Sequence, residues 1–160
     1  MMRNDPSRLA ELRRLLILDS TPEQAYDDIT RLLASSLEVP IVLVSLLDQG
    51  RDWHKSVVGL PFNQSPAVTS LCESFFQTDD DLIVVPDTTA DPRFSANPLV
   101  VHAPYVRFYA AARLTVRGQL VGTLCGYDMR PRTLCTEQID QLRALAGAVV
   151  ELLAARPVSV

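Results

Sequence analysis

The chain has 160 residues, of which 48% are hydrophobic and 21% charged, enough to bury a core and short enough that a single domain over 1–160 is the expectation. A formal net charge of -4, with only Lys55 as lysine and the arginines scattered along the chain, argues against a nucleic-acid partner, because phosphate binding needs clustered cations. No apolar stretch reaches the roughly 18 residues a membrane span requires. There is also no signal-peptide pattern, and Cys72, Cys125 and Cys135 are too widely spaced for a disulfide framework or a zinc site, so a cytoplasmic protein with reduced thiols, no membrane partner and no metal is expected.

In chain order, Asp5 and Pro6 open a helix whose Leu9, Leu12, Leu15 and Leu16 fall at helical spacing, predicting a helix over about 5–18. Thr21-Pro22-Glu23-Gln24 reads as the cap of a second helix running to about Leu37. The run Ile41–Leu47 predicts a strand buried on both faces, and Asp52–Gly59 predicts the other arm of a hairpin. Leu60–Val68 reads as a loop, Ser70–Gln77 as a helix and Leu82–Pro86 as a short strand. The proline-rich stretch Asp87–Pro104 predicts irregular chain with a helical turn near Phe94–Asn97. Val106–Val116 and Leu120–Met129 form a hairpin around Arg117-Gly118-Gln119, and Thr136 starts a last helix ending before Arg156-Pro157. The pattern predicts an α+β fold: a central antiparallel sheet with helices segregated by face. The first and last helices would share one face, their stripes Leu9/Leu12/Leu16 and Leu142/Leu145/Val149/Leu153 packing on the sheet or on a second copy, as a homodimer.

With these elements in place, the segments SLCESF, VPDTTADPRF, VRFYAAARLTV and the hairpin-to-helix stretch beginning GQLVGTLCGYD resemble the GAF domain family, in particular the version found in bacterial diguanylate cyclases and sensor histidine kinases. The match covers about Leu18 to Leu153. The resemblance implies a PAS-related fold with five to six strands, helices on both faces and a ligand cavity roofed by helices and loops. It implies a non-catalytic sensory or dimerising module that binds an unidentified small molecule, with a kinase or diguanylate cyclase as output partner.

Cys72 stands out, because the N-terminus of the expected helix over 70–77 would favour a thiolate. Many relatives of this subtype read Cys-x-His here, whereas this chain reads Cys72-Glu73-Ser74, which speaks against metal, haem and bilin. Free methionine sulfoxide reductases of the family use several pocket cysteines. Only Cys72 falls at a comparable place, with none near Tyr109-Ala110-Ala111 and with Cys125 free to face either cavity or core, so a thiol-dependent oxidoreductase is the alternative function. A ligand-free dimerisation domain is the third, favoured if Phe76, Phe108 and their neighbours fill the cavity. Trp53, Phe76, Phe94, Tyr105, Arg107 and Tyr109 complete the pocket candidates with Cys72 and Cys125, as aromatic walls and polar heads. His54 and His102 lack partners at ligand spacing, and Asp79-Asp80-Asp81 reads as a solvated turn. No catalytic residue is assigned, and the sequence names no cofactor.

Overall fold

The computed structural model describes residues 2–157. Helix α1 spans Pro6–Arg14, opened by Asp5, whose carboxylate accepts from the Arg8 amide at 3.0 Å. It stops four residues before the expected Leu18, and left-handed backbone at Leu16 and Asp19 turns the chain. Helix α2 covers Gln24–Leu37. Its cap is Glu23 rather than Thr21, and it ends on the left-handed Glu38.

Strand β1 (Ile41–Leu47) is buried throughout and pairs with β2 (Arg51–Val58). A three-residue strand, β3 (Gln64–Pro66), adds to the edge of β2 inside the stretch expected to be loop. The segment Leu71–Gln77 is a 3₁₀ turn, not the α-helix that its pattern predicts. Strand β4 (Leu82–Val85) follows; the helical turn expected near Phe94–Asn97 is present, with the Ser95 amide donating to the Asp91 carbonyl at 2.9 Å, and a short helix, α3 (Pro98–Val101), comes after it, where Asn97 caps the Leu99 amide at 2.8 Å. Strands β5 (Phe108–Val116) and β6 (Gln119–Asp128) make the long hairpin, and positive φ at both Arg117 and Gly118 gives its two-residue turn the twist a hairpin needs. Helix α4 runs Thr136–Ala154, capped by Cys135, whose amide donates to Gln138 Oε1 at 2.9 Å.

The six strands form one antiparallel sheet in the order β3-β2-β1-β6-β5-β4. Alternation sorts β1 into two cores. Val42, Val44 and Leu46 point to one face and pack with Leu33 and Leu37 of α2, Leu142, Val149 and Leu153 of α4, and Leu12 of α1. Ile41, Leu43 and Leu47 point to the other, which is covered by Leu71, Cys72 and Phe75 of the 3₁₀ segment with Phe94 and Val100. The terminal helices thus share a face, and most of their apolar stripe is consumed inside the molecule, only Leu16 standing out at 55% exposure. The β1–β2 register carries one irregularity. Ser45 faces His54 while its neighbour Val44 faces Ser56, so Lys55 is a bulge with no opposite residue.

A polar cleft on the sheet face

Under the Leu71–Gln77 segment, the sheet face is lined by polar side chains where an aliphatic layer would be expected. The Ser45 hydroxyl and His54 Nδ1 lie 2.7 Å apart, both buried, joining β1 to β2 across the bulge. The Tyr109 hydroxyl donates to Cys72 Sγ at 3.0 Å, and Thr123 Oγ1 lies 3.1 Å from the same sulfur. Asp52, Ser65, Thr69, Ser70, Cys125 and Tyr127 complete the polar lining, with Leu43, Leu71 and Leu99 as its apolar part. The free space is about 30 Å³, room for roughly one or two water molecules.

Burial sets the ionisation of the site. It lowers the His54 imidazole to about 4 and pushes the Tyr109 and Tyr127 phenols upward. Contact with the Cys72 thiol, and then burial, holds the Cys125 thiol well above its ordinary value. Burial also raises the Asp52 carboxyl, against the pull of Arg3, whose Nη1 donates to Asp52 Oδ1 at 2.9 Å. At neutral pH the histidine, both phenols and the Cys125 thiol are therefore uncharged. The cleft can donate and accept hydrogen bonds but presents little net charge, which suits a neutral polar guest.

Of the residues the sequence singles out, Cys72, Tyr109 and Cys125 come together at this cleft. Phe94 stands behind them, its ring 5.5 Å from that of Tyr109. Trp53 is on the opposite face, in the core under the helices. Phe76 lies on the outer side of the 3₁₀ segment beneath the guanidinium groups of Arg3 and Arg8. Tyr105, 52% exposed, and Arg107, which donates to the carbonyl of Val100 at 2.9 Å, are neighbours of each other and line no part of the cleft. Phe108 faces the helices, so neither it nor Phe76 fills the site. Because the segment around Cys72 is 3₁₀, no α-helical N-terminus acts on its thiol.

Ser45, Asp52, His54, Thr123 and Tyr127 are absent from the sequence-level pocket. A serine in the middle of an otherwise apolar buried strand was the available signal for Ser45. His54 is a hydrogen-bonded, buried histidine, His102 is exposed, and Asp79–Asp81 form an exposed turn. Among the described residues no group of three potential ligands could hold a metal ion, and no helix is long and apolar enough to cross a membrane.

The larger depression, about 430 Å³, lies open on the outer side of β2 between Pro22, Asp27 and Phe62. Its cation is already committed: Lys55 Nζ meets Ser20 Oγ at 2.7 Å and Glu23 Oε2 at 2.6 Å.

The chain is 35% identical over 149 residues to a cyclic di-GMP phosphodiesterase of Pseudomonas aeruginosa, an alignment that takes in 92% of this chain and 25% of that protein. The chain thus spans about a quarter of that relative's length. Among solved structures, the GAF domain of an Acinetobacter phosphoenolpyruvate-protein phosphotransferase superposes with a TM-score of 0.65 at 17% identity, covering 94% of each chain. A free methionine-R-sulfoxide reductase from Neisseria meningitidis gives 0.63 at 15% identity, covering 96% of this chain and 95% of the other. At these identities the superpositions speak for the fold alone. The sequence model of the GAF domain matches residues 21–153, and with the antiparallel six-stranded sheet and the roofed cleft on one of its faces, this places the chain in the GAF domain family.

Proposed function

We propose that this domain is the sensory and regulatory input of a bacterial signalling protein, without catalysis of its own, and that the polar cleft receives a small, uncharged molecule. One observation carries this: Ser45, His54, Cys72, Tyr109, Thr123 and Cys125 are buried on one sheet face. Burying polar groups costs free energy that a purely structural core would avoid. Residues 1–160 act as one domain in this proposal, and Cys72, Tyr109 and Cys125 touch the guest. The output element is a phosphodiesterase, cyclase or kinase, in keeping with the signalling enzyme to which the chain is similar. A homodimer built on the outer surfaces of α2 and α4, where Leu32 is half exposed, would carry the signal.

Native mass spectrometry of protein purified from a bacterial host tests the proposal, with Cys72→Ser and Tyr109→Phe alongside. A retained small molecule whose occupancy drops in the variants supports it. Protein that is empty, and that gains no thermal stability from a panel of neutral polar metabolites, would point instead to a regulatory domain that works with its cleft closed.

A second function is favoured by the placement of Cys125, which stands opposite Ala111 in the β5–β6 register and so brings a second thiol to the cleft. If the domain reduces an oxidised small substrate such as free methionine sulfoxide, wild-type protein with dithiothreitol will turn it over and Cys72→Ser will not. No turnover by wild-type protein removes this alternative.

A further inference from the structure

The roof of the cleft is held from two sides. Inward, Leu71, Cys72 and Phe75 of the Leu71–Gln77 segment pack on the sheet. Outward, the segment meets the residues that precede α1. Arg3, itself buried, reaches across from the N-terminus: its Nε donates to Glu73 Oε1 at 3.0 Å, and its Nη1 donates to the Asp48 carbonyl at 2.8 Å and to Asp52 Oδ1 at 2.9 Å. Arg8, in the first turn of α1 and fully buried, holds Arg3 in place, because its Nε and Nη2 donate to the Arg3 carbonyl at 3.0 and 2.6 Å. Its Nη1 donates to the Leu120 carbonyl of β6 at 3.2 Å. Both guanidinium carbons then stand over the Phe76 ring, at 5.3 and 5.1 Å. Two cations on one ring and a carboxylate beside them make a compact fastening that a few residues of N-terminal chain supply.

The roof itself has little internal stiffness. A 3₁₀ segment of seven residues has poorer hydrogen-bond geometry than an α-helix. Its far end is gripped by Arg113 Nη2, which donates to the carbonyls of Phe75 at 3.0 Å and Thr78 at 2.6 Å. With about 30 Å³ beneath it, no molecule much larger than water enters unless the roof lifts, since small-molecule sites run to some hundreds of Å³. Lifting Glu73 and Phe76 breaks the contacts to Arg3 and Arg8.

We infer that the N-terminal strap, through Arg3 and Arg8, is the latch of this roof, so that opening the cleft and loosening α1 from the end of the sheet are one event. The signalling consequence rests on the proposal that the cleft is a ligand site: a guest that binds only the open cleft shifts the population of the unlatched state, and α1 reports it. The mechanical coupling does not rest on that proposal. A ligand-free experiment therefore separates the two.

Hydrogen–deuterium exchange of the intact protein reads the coupling directly. In Phe76→Leu and in Arg3→Gln, amides of residues 71–77 and of residues 6–14 are expected to exchange faster together, by about tenfold, while those of α4 stay unchanged. Acceleration of one segment alone overturns the latch. Should either variant fail to fold, the milder Glu73→Gln and the wild-type protein in sub-denaturing urea remain: in wild type the two segments should share one opening free energy and one urea dependence. Two separate values would overturn the inference, whatever native mass spectrometry says about a ligand.

Discussion

His54 is a histidine that the fold keeps uncharged, and this gives stability a pH dependence of defined sign. Burial lowers its folded-state pKa from 6.5 to about 4, so between those values the unfolded chain takes up a proton that the folded chain refuses. Stability is full above pH 6.5 and is lost as the pH falls toward 4, by about 3 kcal/mol if the whole shift is realised. Urea unfolding at a series of pH values should show this loss, and His54→Gln should flatten it. Burial also raises the Asp52 carboxyl, which acts in the opposite sense near the acid end, so the difference between wild type and variant isolates the histidine. A curve of equal steepness in both proteins would mean that His54 is solvated and protonates freely. At this scale the sequence was partly legible. The cleft residues Cys72, Tyr109 and Cys125 could be picked out because thiol and aromatic side chains within or beside apolar runs are conspicuous, whereas Tyr105 and Arg107 could not be told from loop residues that touch each other.

Elements were easier to read than their ends. The strands and long helices follow from apolar periodicity, but caps depend on backbone angles that the composition does not record: Glu23 rather than Thr21 begins α2, and Glu38 ends it in the left-handed region with φ 55. A side chain there pays a steric penalty that glycine does not. Glu38→Gly is expected to stabilise the protein by a few tenths up to about 1 kcal/mol, read from the urea midpoint. Gly122 in β6 is the converse case. A Cβ at this position would run into the Ser45 carbonyl oxygen of β1 and come within 3.3 Å of Leu46 Cα, so Gly122→Ala must push apart two paired strands and should cost about 2 kcal/mol or more. An unchanged midpoint would show that the β1–β6 pairing yields without strain. Strand β3 went unread because three residues ending in a proline are too few to show alternation. The 3₁₀ form of Leu71–Gln77 was equally hidden, since its apolar spacing suits either helix.

Across the whole molecule, the layering of helices on one sheet face was legible, because the stripes of α2 and α4 match the alternation of β1 and β5. What those stripes would bury against was not. Leu142, Val149 and Leu153 are fully buried in their own chain, so Leu142→Ala should cost about 2–5 kcal/mol in unfolding free energy as a cavity mutation. The loss should be the same at low and high protein concentration, and a concentration-dependent loss would instead place Leu142 between two copies. On β2, the division of labour between the faces depends on the bulge that sets Lys55 aside. Trp53 and Ser56 both face the helices, three positions apart, while Asp52, His54 and Val57 face the cleft. In a strand with uninterrupted alternation, no such pattern can exist. The bulge therefore acts on β2 as a skipped letter acts on a reading frame: with Ser56–Val58 held in register and Lys55 paired in line instead of set aside, Asp52 and His54 would be delivered into the aliphatic layer and Trp53 into the cleft. Setting one residue aside from the ladder, rather than the identity of any side chain, keeps the polar residues of β2 on the side for a guest and Trp53 on the oily side with the helices.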